Sequence, residues 1–274
     1  MRPEIRDKGD DNSNAVVYPD KMSGIEEHLR AVLFSHWVDT SINSPVRAVQ
    51  ETLDPALRKW GSQYIVDIRP SGSFAKGTAV HGGTDIDVFV SLASTLIVPL
   101  ASIYDTLFNA LTQASFTTRR QNVSIGTAIN GWRVDVTPAR RQDQHGNYHS
   151  LWSNKTGSWL QTNVNEHCRV VSGSGRLDEI RLIKIWRNGF GLDWPSFYLE
   201  LFTIDALLGA RVGNLQQNIV TVLRAVADKI GSRRLIDPAN TNNVVSDTLT
   251  AQGKASLSSA AHSALNSRWN VVFK

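Results

Sequence analysis

A single cysteine, Cys168, stands among the 274 residues, which excludes any intramolecular disulfide and any multi-cysteine zinc site. The opening stretch MRPEIRDKGDDNSN is charged and lacks the apolar run of a signal peptide. No apolar segment reads as a membrane span: the longest charge-free stretch, 88–104, is interrupted by Ser91, Ser94, Thr95, Pro99 and Ser102. These absences predict a reduced, cytoplasmic protein without membrane association. Charge of one sign is not in large excess either, since 29 Lys and Arg against 25 Asp and Glu leave a net +4. That surplus is too small to argue nucleic-acid binding by itself. Internal repeats and low-complexity tracts are also missing. What remains, 41% hydrophobic and 20% charged residues, is the composition of a soluble chain long enough for one or two domains with a real core.

Residues 1–20 are polar and aperiodic, and are expected to form a flexible tail. Apolar positions at helical spacing (Ile25, Leu29, Val32, Leu33, Trp37) predict a helix over 24–40, and a second is expected over 46–60. Short β-rich runs follow at 64–68 and 85–92, with a helix between about 100 and 114. The run Val123–Ile129, the pair Asn130-Gly131 and the run Trp132–Thr137 read as a β-hairpin, because Asn-Gly favours the left-handed angles of a type I′ turn. Residues 142–157 are expected to be loop or a further hairpin. From Leu177 onward the pattern is mostly helical, with 237–243 loop-like. The reading is an α+β fold: a strand-rich domain over 21–165 that includes the N-terminal helices, and a helical domain over 166–274.

The chemistry concentrates on two strands. Side-chain alternation puts Asp85 and Asp87 on one face while Ile86, Val88 and Val90 turn inward. The second hairpin strand repeats the design, with Arg133, Asp135 and Thr137 opposite Trp132, Val134 and Val136. If those strands are neighbours, Asp135 joins the pair. Two like charges about 4 Å apart repel by on the order of 4 kcal/mol at an effective dielectric near 20, so such a cluster implies a bound cation. Ligands that are all oxygen favour Mg²⁺ or Mn²⁺. Upstream, Gly72-Ser73 closes a strand and offers backbone N–H groups suited to phosphate. The segment is no Walker A loop, because in Gly72-Ser-Phe-Ala-Lys76-Gly77-Thr78 the lysine precedes the glycine.

The combination Gly72-Ser73, Asp85-Ile86-Asp87 and a later Asp135 resembles the signature of the DNA polymerase β-like nucleotidyltransferase superfamily. Three further runs, Leu182–Arg187, Trp194–Leu201 and Asp237–Asn243, resemble the helical domain of oligoadenylate synthases, archaeal-type CCA-adding enzymes and the bacterial CD-NTases, most of all the last. The resemblance implies a bilobal nucleotidyltransferase, with a mixed-sheet catalytic lobe and a C-terminal helical lobe. It implies that Asp85 and Asp87 hold two Mg²⁺ (or Mn²⁺) ions on the donor triphosphate, while Asp135 serves the ion that activates the acceptor hydroxyl. It further implies that Gly72 and Ser73 hold the β- and γ-phosphates and that Lys184 and Ser196 contact the triphosphate. The substrates would be NTPs: ATP, with GTP, CTP or UTP open. The product would be a cyclic di- or oligonucleotide that acts on a downstream effector in antiphage defence. The alternative is a linear oligoadenylate or an RNA 3′-end acceptor, the latter disfavoured by the short remainder after Asn243. A catalytically silent nucleotide-binding regulator is a third reading, and the complete set of carboxylates argues against it. No Cys/His cluster matches the zinc insertion of the DNA-sensing metazoan relative, so zinc-dependent DNA sensing is not expected.

The remaining chemistry-bearing residues read as structural. His145 and His149 flank a Gly-Asn turn and Cys168 has no zinc partners. Trp152, Trp159, Trp186 and Trp194 are expected in the core, with Tyr148, Trp152 or Tyr198 as candidates for stacking on a base. Glu200 reads as a partner within the helical lobe and stays outside the expected site. The pairs Arg119-Arg120, Arg140-Arg141 and Arg233-Arg234 are expected on solvated faces.

Overall fold

The computed structural model describes residues 24–39, 41, 44–83 and 85–274; the tail expected over 1–20 lies outside them. Helix α1 spans Gly24–Ser35 and α2 spans Pro45–Gly61. Pro45 suits the first helical position with its fixed φ, and Val46, Val49, Leu53 and Leu57 recur at three- and four-residue spacing to make one buried stripe. Strand β1 (Ile65–Pro70) runs into the short helix α3 (Gly72–Lys76), then β2 (Ile86–Leu92) and α4 (Leu100–Gln113). A two-residue strand β3 (Arg119–Arg120) precedes the hairpin of β4 (Ile125–Ile129) and β5 (Trp132–Arg141). Its turn residues Asn130 and Gly131 have φ of 53° and 81°, the left-handed pair expected from the sequence.

A second hairpin, β6 (His149–Ser153) with β7 (Ser158–Thr162), occupies the region read as loop or hairpin. The helical half comprises α5 (Val164–Ser172), α6 (Leu177–Gly189), α7 (Ser196–Ala206), α8 (Leu215–Lys229), α9 (Ala251–Leu265) and α10 (Trp269–Val272). Between α8 and α9 the stretch expected as loop forms a small hairpin, β8 (Ile236–Asp237) with β9 (Asn240–Val244). Its polar strands carry no apolar alternation. The Asp237 carboxylate holds it instead, accepting from Ala239 N–H at 2.8 Å and Asn243 Nδ2 at 3.1 Å and meeting His167 Nε2 at 2.8 Å.

The sheet has seven strands in the order β1-β2-β5-β4-β3, with β6 and β7 continuing from the far end of β5. Strands β2 and β5 are parallel; the other pairs among the described residues are antiparallel. Helices α2 and α4 cover one face, where Leu53, Leu57, Leu107 and Leu111 pack on Ile86, Val88, Val90, Val134 and Val136. On the other face Phe89, Ala139, Leu151 and Val164 form a smaller cluster. The helices from α5 onward build a separate core around Trp186, Trp194, Tyr198 and Phe202, so the α+β molecule is bilobal. Helix α1 departs from the grouping expected for it: Leu29 and Val32 are buried in the helical core, not against the sheet. Glu26 fastens it there by accepting from Gln216 N–H at 3.0 Å at the start of α8.

Candidate active site

Parallel pairing decides where the three carboxylates go. Asp87 on β2 lies directly opposite Asp135 on β5, one residue along from Ile86 opposite Val134. Directly paired residues share a face, so both carboxylates stand on the side away from the core that holds Ile86, Val88, Val134 and Val136. Asp85, just ahead of β2, accepts from Arg133 Nε at 2.6 Å. The neighbourhood is costly for negative charge. Burial, then the nearby Asp135, push Asp87 up to about 7, and burial and Asp85 raise Asp135. Among the described residues no three His, Cys, Asp or Glu side chains already converge on one point, and Asp85 is turned to Arg133. The donor set is nonetheless oxygen-only and under-neutralised, which fits a hard divalent cation.

The Gly72-Ser73 turn abuts this face. Ser71 N–H donates to Asp87 O at 2.8 Å, which fixes the turn to the start of β2. Gly72 has φ +57°, and a Cβ there would lie 1.8 Å from Asp87 Oδ2. Only glycine serves at that place, for its left-handed backbone and for the room it leaves the carboxylate.

Lys184 is buried. The residue is 2% exposed, and the three protons of its ammonium, expected on the triphosphate, have three partners: Glu200 Oε1 at 2.6 Å, Thr78 Oγ1 at 2.9 Å and Thr78 O at 3.2 Å. None is left for a phosphate in this arrangement. The helical stripe of Arg181, Lys184 and Asn188 is real, but it grips the chain that leads to Asp85. Arg181 donates to Gly77 O at 2.6 Å, Lys184 holds Thr78, and the Asn188 amide packs on Gly83. Ser196 stays at the exposed start of α7, where its Oγ accepts from Arg187 Nη1 at 2.9 Å.

Glu200 is the residue that sequence reasoning left out. It is fully buried and accepts from Lys184, from Thr78 Oγ1 at 2.6 Å and from Lys76. Its partners thus lie in both halves: Lys184 is on α6 of the helical lobe, while Lys76 ends α3, four residues after Gly72, and Thr78 follows it. Burial pushes Glu200 up, but the charges of Lys76 and Lys184 outweigh it and bring the carboxyl down to about 2. Burial lowers Lys184 to about 8. A clue was present in the sequence, since a lone glutamate in Phe197-Tyr-Leu-Glu-Leu-Phe has no polar face to occupy and must find a charged partner.

The other expectations sort cleanly. Trp186 and Trp194 are core residues, while Trp159 is exposed opposite Trp152 on the second hairpin. Tyr198 is buried edge-on against Trp194 and Phe202 and leaves the set of base-stacking candidates; Tyr148 is exposed. His149 is buried between Ser91 Oγ at 2.8 Å and Asn147 O at 2.9 Å. The basic pairs do not act together, for Arg120 meets Asp105 at 2.5 Å, Arg140 donates to Leu96 O and Val98 O, and Arg233 pairs with Asp205.

Comparison with known proteins gives four similarities of one kind. The family described as Second Messenger Oligonucleotide or Dinucleotide Synthetase domain matches residues 22–173. Cyclic AMP-AMP-AMP synthase of Escherichia coli (strain MS 115-1) is 26% identical over 285 residues, covering 86% of this chain and 89% of that protein. The structure of E. coli MS115-1 CdnC with ATP is similar at a TM-score of 0.69 and 20% identity, covering 88% of this chain and 90% of that one. That of the Bradyrhizobium diazoefficiens CD-NTase CdnG in complex with GTP reaches 0.74 at 16% identity, covering 89% and 91%.

Proposed function

Because the chain belongs to the family of Second Messenger Oligonucleotide or Dinucleotide Synthetase domains, we propose that it joins NTPs without a template into a cyclic di- or oligonucleotide. The observation that carries this reading is the register that sets Asp135 level with Asp87 across a parallel strand pair. ATP is the first substrate to test, given the name of the 26% identical relative. Asp85 and Asp87 would hold Mg²⁺ or Mn²⁺ for the donor nucleotide, and Asp135 would serve the acceptor side. When bound, two such ions stabilise charge on the entering and leaving oxygens of an in-line displacement.

This chain's own residues supply orientation. Gly72 and Ser73 present backbone N–H groups to the donor phosphates beside Asp87, and Ser196, at the start of α7, is assigned a contact to the triphosphate from the helical lobe. Asp135 accepts the proton of the attacking ribose hydroxyl. That oxygen bonds to the donor's α-phosphorus and pyrophosphate leaves. The buried Lys76–Glu200–Lys184 group keeps the phosphate turn and the helical lobe in one arrangement. Among the described residues no helix is long and apolar enough to cross a membrane, in keeping with a cytoplasmic enzyme whose product diffuses to a separate effector, as in antiphage signalling.

The test is pyrophosphate release by the purified protein with each NTP and with mixtures, in Mg²⁺ and in Mn²⁺. Release is expected with ATP present, abolished by EDTA and restored by excess Mn²⁺. No release from any NTP would sink the reading, and extension of a labelled tRNA would shift it to an RNA 3′ end.

A further inference from the structure

We infer that Gln121 is a positioning residue for Asp135, seated in a gap that Gly126 leaves in the sheet; the inference rests on the proposed nucleotidyl transfer. Across the sheet, Arg119, Gly126, Asp135 and Asp87 occupy one row of directly paired positions on β3, β4, β5 and β2. Every member but Gly126 has a side chain. Over its vacant Cβ position lie Gln121 Nε2 and the Arg119 guanidinium, 2.7 and 3.0 Å from where a Cβ would be. The missing side chain is what lets the Gln121 amide reach across β4 to donate to Asp135 Oδ1 at 2.8 Å.

The amide has one satisfactory orientation. An ionised carboxylate only accepts, so the NH₂ end must face Asp135. The Oε1 end meets Ser124 Oγ, which donates to it at 2.7 Å. Its backbone is held as firmly. Gln121 N–H donates to Ser124 O at 3.1 Å and to the Tyr104 hydroxyl at 3.0 Å, and Asn154 Nδ2 donates to Gln121 O at 2.7 Å. Tyr104 itself is buried in the core of the catalytic lobe. Gln121 therefore links that core to one oxygen of Asp135, fixing its rotamer and leaving the other oxygen for the acceptor side. Nothing else in the proposed chemistry needs a glutamine there, and side chains that orient a reacting carboxylate commonly cost 10- to 100-fold when removed.

Gln121→Met, which keeps length and removes the donor, is expected to lower kcat for pyrophosphate release about 10- to 100-fold with KM for ATP within about twofold. Gln121→Glu, which points a further carboxylate at Asp135, is expected to fall lower still. Gly126→Ala displaces the amide without altering it and is expected to share the kcat defect. Manganese binding without nucleotide, titrated by electron paramagnetic resonance, is expected to weaken in Gln121→Met at unchanged melting temperature. Wild-type kcat and wild-type Mn²⁺ titration in Gln121→Met would overturn the inference, and so would equal losses in kcat and KM with a lower melting temperature, the mark of a structural role. A wild-type protein that releases no pyrophosphate would refute the proposed function instead, and the Mn²⁺ titration would still decide for or against Gln121.

Discussion

Asp87→Asn is expected to lower nucleotidyl transfer by at least about 10³-fold and, at pH 8 without added metal, to make the fold more stable than the wild type. Both effects share a cause. Burial and the facing Asp135 hold the Asp87 carboxyl near pH 7 instead of its ordinary 3.8. A carboxyl raised on folding costs nothing while protonated, and its penalty grows as pH rises from about 4 through 7. Raising the carboxyl from 3.8 to about 7 corresponds to about 4 kcal/mol. Discounted for the partial exposure of the side chain, about 2 kcal/mol is a reasonable expectation. Urea unfolding at pH 5 and pH 8 checks it: the variant's advantage should be less than half as large at the lower pH as at the higher. Added Mn²⁺ should stabilise the wild type and not the variant, because an ion that binds only the folded state shifts the equilibrium by mass action. A variant less stable than wild type at pH 8 would mean that Asp87 is a structural residue, not a strained functional one.

The second large effect is on stability. Glu200→Gln leaves two buried ammonium groups without their shared counter-charge, and breaking such a group from one side costs about 3–5 kcal/mol. For a chain of this size that is roughly 10 °C in melting temperature. The pH dependence has a definite sign. Glu200 is depressed to about 2, so its contribution is complete above its ordinary 4.5 and is lost as pH falls through about 2. Lys184, already lowered to about 8 by burial, falls further without Glu200, so the variant's deficit should shrink at alkaline pH. Lys184→Met should likewise destabilise the protein. Had its ammonium met the triphosphate, the same change would raise KM and leave the melting temperature alone.

The contrast between these two sites explains what could be read in advance. The hairpin at 130–131 was legible because a two-residue turn chemistry and a period-two pattern agree locally. The placing of Asp87 level with Asp135 was legible once the second strand was recognised, although it depended on β2 and β5 being neighbours, whereas Asp85 lies just ahead of β2 and turns to Arg133. The Lys76–Glu200–Lys184 group was not legible. Lys76 and Glu200 lie 124 positions apart, and no local pattern says that a charge on α6 turns inward to a loop carbonyl. The destination of α1 was hidden in the same way, since its apolar stripe fits either core. Gln121 escaped because its role is set by a glycine on another strand and by a serine that orients its amide. Local periodicity locates groups that chemistry needs on one face; long-range pairing decides which of them are free to act.

The proposed product is a ring. Each hydroxyl attack on an α-phosphorus forms one phosphodiester bond and expels one pyrophosphate. A closed ring therefore releases one pyrophosphate per nucleotide incorporated and keeps no terminal phosphate. The most direct measurement combines pyrophosphate stoichiometry with mass spectrometry of the phosphatase-treated product formed from ATP, alone and with each other NTP, in Mn²⁺. The expected result is a ratio of one and a phosphatase-resistant cyclic mass, absent from the Asp85→Ala, Asp87→Ala double variant. A ratio below one with phosphatase-sensitive linear chains would contradict the account.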